Sequence, residues 1–195
     1  MNVEKTIFNG HCIEYIDETH QYIVDGIIVI SVTQLINKLF PEKYANVPLN
    51  ILKQKAEYGS LVHKAIEYLE QGQKFNTNNI YADISIAQYQ DLKEENNIQV
   101  LEQEQIVCYK GLYAGRFDMI ALINGKKCLC DIKTTAKLDI EAISWQLSLY
   151  ELAYGKKFDK FYAIWLPKKG QAKLVEIPRI NKKILLKTLE EILWK

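Results

Sequence analysis

The sequence predicts an α/β domain with a mixed central β-sheet flanked by helices, on three observations. Apolar runs with alternating side chains, bounded by turn residues, occur at 12–30 and 98–133. Apolar residues recur at helical spacing at 51–70, 83–96, 141–154 and 182–194. The two kinds of segment interleave along a chain of 195 residues, about half of it hydrophobic, which suits one buried core, 1–195, and does not demand two.

Taken in order, residues 15–17 and 21–24 read as strands around the polar turn Glu18-Thr19-His20, and Asp25-Gly26 turns the chain into a strand at 27–30. Ser31-Val32-Thr33-Gln34 is a capping box, so a helix starts at Val32 and runs to Leu39 before Pro41 ends it. Asn50 is placed to cap a long helix over 51–70, with Leu52, Ala56, Val62, Ile66 and Leu69 as its core stripe. Gly59 interrupts that stripe, and a close backbone approach would explain a residue that costs about 1 kcal/mol against alanine in a helix.

After a polar loop at 72–79, a helix is predicted over 83–96 with Ile84, Ala87 and Leu92 inward. Strands at 98–101 and 105–109 follow, and Lys110-Gly111 turns into a hairpin of 115–122 and 126–133. The C-terminal part reads as helix 141–154, strand 161–166, turn 167–170 and strand 173–177. Pro178 ends that strand, and Asn181 caps a last helix to Trp194 with Ile184, Leu185, Thr188, Leu189 and Ile192 inward. This divides the domain into N-terminal hairpins and a short helix (1–49), a core (50–154) and C-terminal strands with a helix (155–195).

Chemistry concentrates in the hairpin. Asn124-Gly125 is the strongest short-range signal for a two-residue turn. With Ile123 facing Lys126 across it, Met119 stands opposite Cys130 and Asp118 opposite Asp131. Opposed carboxylates have Cβ atoms roughly 4.5–5.5 Å apart and destabilise a sheet unless compensated. Alternation puts Lys133 on the face of Asp131, with Cys128, Cys130 and Ile132 on the other. A divalent cation, the lysine or both would offset the repulsion, and clustered hard oxygen donors suit Mg2+ or Mn2+ better than zinc. Arg116 falls on the same face as Asp118 and could meet a phosphate.

At these residues the chain resembles the PD-(D/E)XK nuclease superfamily, in its RecB-like and phage-exonuclease branch, which also holds Cas4-type proteins. The match runs through Gly59 to Glu67 (Gly-X-X-X-His-X-X-X-Glu, with His63), Gly115 to Asp118 (Gly-X-X-Asp), Asp131 to Lys133 (Asp-X-Lys), and Gln146 and Tyr150 on the following helix. Glu104, or Glu102 on the same strand face, fits the glutamate expected ahead of Gly-X-X-Asp. Ser31-Val32-Thr33 after a β-turn is also frequent in the branch.

The resemblance implies a restriction-endonuclease-like core and a Mg2+- or Mn2+-dependent deoxyribonuclease, in particular an exonuclease of phage or mobile-element recombination or replication. It implies Asp118, Asp131, His63 and the Ile132 carbonyl as metal ligands, one or two ions, Lys133 to orient the attacking water, and Gln146 and Tyr150 on the phosphate. Glu67 could orient the His63 ring. The competing reading is an inactive module on the same fold that holds nucleic acid or protein; the intact acidic pair with Lys133 argues against it.

Composition adds bounds. No apolar run approaches a transmembrane length and the start of the chain lacks a signal-peptide pattern, so a cytoplasmic place in a bacterial or phage-infected cell is expected, without membrane contact. Partners are DNA and a recombination or replication protein, and oligomer formation is left open. Cys12, Cys108, Cys128 and Cys130 form no Cys-X-X-Cys pair and none lies near the C-terminus, where Cas4-type relatives place three of their iron-sulfur ligands, so no such cluster is expected. His11 and His20 read as surface residues. From Gly155 onward eleven Lys or Arg stand against four Asp or Glu, including Lys156, Lys157, Lys160, Lys168, Lys169, Lys173, Arg179, Lys182 and Lys183. They could supply phosphate attraction.

Overall fold

The computed structural model describes residues 3–41 and 47–193. It is an α/β fold in which a nine-stranded mixed, largely antiparallel sheet is flanked by helices on both faces. The strands are β1 (Val3–Phe8), β2 (His11–Ile16), β3 (Gln21–Val24), β4 (Ile27–Ser31), β5 (Ile98–Tyr109), β6 (Tyr113–Ile123), β7 (Lys126–Lys133), β8 (Lys160–Trp165) and β9 (Lys173–Ile177). The helices are α1 (Val32–Leu39), α2 (Leu49–Glu70), α3 (Ile80–Glu95), α4 (Ile140–Tyr154) and α5 (Lys182–Leu193). No helix among the described residues is long and apolar enough to cross a membrane.

The sheet order is β1-β2-β3-β4-β6-β7-β8-β9, with β5 on β6 as a branch. β5 pairs along the whole length of β6, so it occupies one edge. The other edge is shared: β4 pairs in parallel at Tyr113 and Ala114, and β7 pairs antiparallel from Met119 to Ile123. Between those two partners lie residues 115–118 of β6, and there the sheet splits. Apolar side chains cover both faces, with α1, α4 and α5 on one and α2 and α3 on the other. A smaller cluster lies under the N-terminal hairpins, where Ile13, Tyr15, Tyr22 and Val24 meet Ile106, Cys108 and Ala114.

The predicted hairpin register is the observed one from Ile123 with Lys126 to Met119 with Cys130; the ladder stops there, short of the expected pairing of Asp118 with Asp131. Asn124 and Gly125 both take positive φ, as a type I′ turn requires. Helix α1 has the predicted bounds, and Ser31 and Gln34 cap it reciprocally. Gly59 lies inside an unbroken α2, where an added Cβ would stand 3.4 Å from Thr134 Oγ1, so the close approach is to the segment after β7.

Several expectations need correction. An additional strand, β1, precedes the first predicted one, turned by Asn9-Gly10 with positive φ at both residues. The strands 98–101 and 105–109 are one strand with a bulge between Val100 and Glu102. Asn50 does not cap α2; Pro48 occupies that position without a side-chain bond, and the helix begins at Leu49. The first two turns of α2 bury nothing, Leu49 being 83% exposed, so Leu52 and Ala56 are not core; burial begins at Val62. Helix α3 starts three residues early because Asn79 accepts from the Tyr81 and Ala82 N–H groups. Its buried face is therefore Ala82, Ser85, Tyr89 and Leu92, leaving Ile84 46% exposed and Ala87 outward. On α5, Leu185 and Leu189 are buried but Ile184 is 55% exposed, and Trp194 lies outside the described residues.

Candidate metal-dependent active site

The split in the sheet opens into a cleft of about 1120 Å³, lined by β6, the start of α1, the middle of α2 and the N-terminal strands. Arg116 and Asp118 project into it from the stretch of β6 that pairs with neither β4 nor β7. The Asp118 carboxylate continues the ladder where backbone pairing stops, accepting the Ile132 N–H at 2.6 Å. His63 reaches the same point from α2. Its Nδ1 is 3.5 Å from Asp118 Oδ1, and its Nε2 donates to the Ile132 carbonyl at 2.9 Å.

Glu104 completes the cluster from β5. It stands opposite Asp118, between the pairs Gln103–Met119 and Gln105–Phe117, and has φ 49°, an uncommon conformation for a non-glycine residue. Among the described residues, His63, Glu104 and Asp118 each offer one ligand atom within 4.8 Å of the others. One imidazole and two carboxylates at that separation fit a divalent cation in composition and spacing. Glu102 is not part of the cluster: Tyr154 donates its phenol hydrogen to it at 3.1 Å.

Asp131 is 2% exposed, and its Oδ2 lies 2.6 Å from Lys133 Nζ. Lys133 also donates to Gln146 Oε1 at 3.2 Å, so β7 and α4 hold the ammonium between them. Asp131 is thus ion-paired with Lys133 and the Ile132 carbonyl accepts from His63, two groups that the resemblance implies as metal ligands. Tyr150 is 4% exposed and lies under Gly115, where an added Cβ would be 2.8 Å from its ring; it braces the floor of the cleft rather than facing outward. Arg116, partly exposed in the cleft, pairs with Glu104 at 3.0 Å. Glu67 accepts from Gln71 at 3.3 Å, and the ring partners of His63 are Asp118 and Ile132.

The electrostatics follow from burial and proximity. Burial favours neutral His63, yet the Asp118 carboxylate outweighs it and pushes the imidazole up to about 9. Burial and then the Asp118 charge push Glu104 up to about 7, against the pull of Arg116. Burial raises Asp131 to about 6 despite Lys133. Burial also opposes charge on Asp118, but His63, Lys133 and the Ile132 N–H hold its carboxyl below the usual range. The site is therefore an acidic cluster part-neutralised by protons, the state that a metal ion would replace.

Sequence reasoning missed the N-terminal wall. Glu4, Tyr15, Asp17, His20 and Tyr22 all line the cleft, and His20 Nδ1 is 2.7 Å from the Tyr15 hydroxyl. The available signal was Asn9-Gly10, the same turn dipeptide that located the central hairpin. His11 is likewise engaged, 2.6 Å from Asp25.

No family model and no curated protein matches the chain. Among solved structures, the crystal structure of SSO0001 is similar over 84% of this chain and 74% of its own, with 19% identity and a TM-score of 0.40.

Proposed function

We propose that this protein is a metal-dependent nuclease that hydrolyses phosphodiester bonds in DNA, built on a restriction-endonuclease-like core of the PD-(D/E)XK type. The observation that carries the reading is the convergence, in one cleft, of His63, Glu104 and Asp118 with a lysine held beside them by Asp131 and Gln146. A structural ion-pair network would not need three ligand-type atoms facing one another at the mouth of a split sheet.

His63, Glu104 and Asp118 would hold a Mg2+ or Mn2+ ion. Such an ion, when bound, lowers the pKa of coordinated water and offsets charge on a phosphate. The chain supplies the rest. Asp118 fixes the geometry of the β7 end by accepting the Ile132 N–H, and the Ile132 carbonyl orients His63. Asp131 and Gln146 aim the Lys133 ammonium, a preorganised cation that orients the attacking water and meets charge developing on the phosphate oxygens. Tyr150 supports this wall from below, and Gln146 is the group next to Lys133 able to hold a neighbouring phosphate oxygen. An exonuclease of phage or mobile-element recombination or replication is the form of this activity that the sequence resemblance favours.

The test is incubation with linear double-stranded, single-stranded and closed circular DNA in Mg2+, Mn2+ or EDTA. Metal-dependent loss of linear DNA alone is the expected result and identifies an end-dependent enzyme. Cutting of the circle identifies an endonuclease, and no cleavage under any condition would overturn the reading.

A further inference from the structure

We infer that Arg116 is a positioning residue for Glu104, and that the N-terminal sheet serves this site by holding the arginine in place. The inference rests on the metal-dependent reading above. Glu104 lies in the left-handed region at φ 49°, so the ordinary pleat of β5 does not direct its side chain. What directs it is Arg116, whose Nε is 3.0 Å from Glu104 Oε2. With one oxygen fixed, the carboxylate retains a second for an ion.

The guanidinium is itself fixed from the N-terminal side. Its NH1 lies 3.6 Å from Glu4 Oε2 on β1, and its central carbon lies 4.8 Å from the centre of the Tyr15 ring on β2. Tyr15 is 3% exposed, its hydroxyl donates to Asp17 at 3.3 Å and meets His20 at 2.7 Å, and its ring packs on Tyr22 with centroids 4.8 Å apart. The arginine is thus held by a carboxylate at either end and an aromatic face across its plane. That arrangement uses a planar fork, which lysine does not have. The Nε contact commits that edge of the guanidinium to Glu104, a role besides the phosphate contact that the position of Arg116 in the sequence suggests.

The consequence is that a neutral, buried residue outside the His63, Glu104 and Asp118 cluster, Tyr15, should affect metal affinity through Arg116. The test is calorimetric titration of Mn2+, without nucleic acid, into wild type, Arg116→Lys, Arg116→Ala and Tyr15→Leu, with Asp118→Ala as the control and circular dichroism to confirm folding. DNA affinity is measured in parallel in EDTA. Loss of a group that orients a ligand typically weakens metal binding about tenfold or more. Both arginine variants are expected to show such a loss, without rescue by lysine, Tyr15→Leu a smaller loss of the same sign, and DNA affinity in EDTA little change. Mn2+ affinity unchanged in Arg116→Ala with weakened DNA binding would overturn the inference and make Arg116 a phosphate contact. Full recovery by Arg116→Lys would also overturn it, since charge alone would then suffice. Absence of Mn2+ binding by the wild type would instead overturn the metal-dependent reading, and this inference with it.

Discussion

At the scale of residues, His63 and Glu104 make a prediction about pH. In the metal-free protein both have folded pKa values above their ordinary ones, 6.5 rising to about 9 for His63 and 4.5 rising to about 7 for Glu104. A raised folded pKa contributes stability that is fully present below the unfolded value and lost as pH rises through the folded one. The melting temperature in EDTA should therefore fall as pH rises through 4.5 to about 7 for Glu104 and on through 6.5 to about 9 for His63. Mn2+ replaces those protons, so its stabilising shift should grow over the same range, read by thermal melts with and without the ion. A Glu104→Gln variant should lose the acidic part of this dependence. Asp118, Asp131 and Lys133 were legible because strand alternation and turn register are local rules, whereas His63 and Glu104 came only from the resemblance. The contacts among these residues were not legible: that Asp131 pairs with Lys133 while Glu104 comes within reach of His63 depends on a β5 bulge and an α2 approach that no spacing encodes.

Among elements, the join of β6, α1 and α4 is the most sensitive point. A Cβ on Gly115 would lie 2.8 Å from the Tyr150 ring and 2.9 Å from Val32 Cγ2. Overpacking of this kind costs about 1–3 kcal/mol, so Gly115→Ala should lower the urea midpoint by a corresponding amount and displace Tyr150 from beneath the cleft. The contact also gives Ser31-Val32-Thr33 a physical role: the capping box starts α1 where Val32 packs on Gly115. A milder expectation attaches to Asn79, whose side chain caps α3; its replacement by alanine should cost about 1 kcal/mol in the same measurement. Capping and two-residue turns were read correctly at Ser31 and Asn124 because both signals act within four residues. The helix faces were read less well. On α3 the inward set depends on what the helix meets, and Ala82, Ser85 and Tyr89 were chosen by the packing of α2 and β5 rather than by hydrophobicity.

For the whole molecule, the placement of the basic C-terminal residues bears on how DNA would approach. Lys133 pairs with Trp165 at one end of β8, and Cys128 pairs with Lys160 at the other, about 17 Å away at ~3.3 Å per residue. Lys168 lies beyond the Lys133 end, 4.1 Å from the centre of the Tyr81 ring, with Lys169 beside it. At the far end, Lys160 is paired with Glu176, and Arg179 with Glu151, where it also donates to the Phe158 carbonyl. The charge excess visible in the sequence is therefore divided between opposite ends of the sheet. Charge reversal at Lys168 and Lys169 should weaken DNA binding and flatten its salt dependence, while reversal at Lys156 and Lys157 should leave both nearly unchanged. Fluorescence anisotropy across a salt series checks this. Composition could show the excess but not its division, because the antiparallel return of β9 carries the chain back along β8.

The most direct test of a metal site worked by a separate lysine is a paired measurement on Lys133→Ala, with Asp118→Ala beside it: cleavage of linear DNA in Mn2+, and Mn2+ binding without DNA. The expected result is that Lys133→Ala cuts nothing while still binding Mn2+, and that Asp118→Ala loses both. A Lys133→Ala protein that cuts as fast as wild type, or a wild type that neither binds Mn2+ nor cuts, would contradict the account.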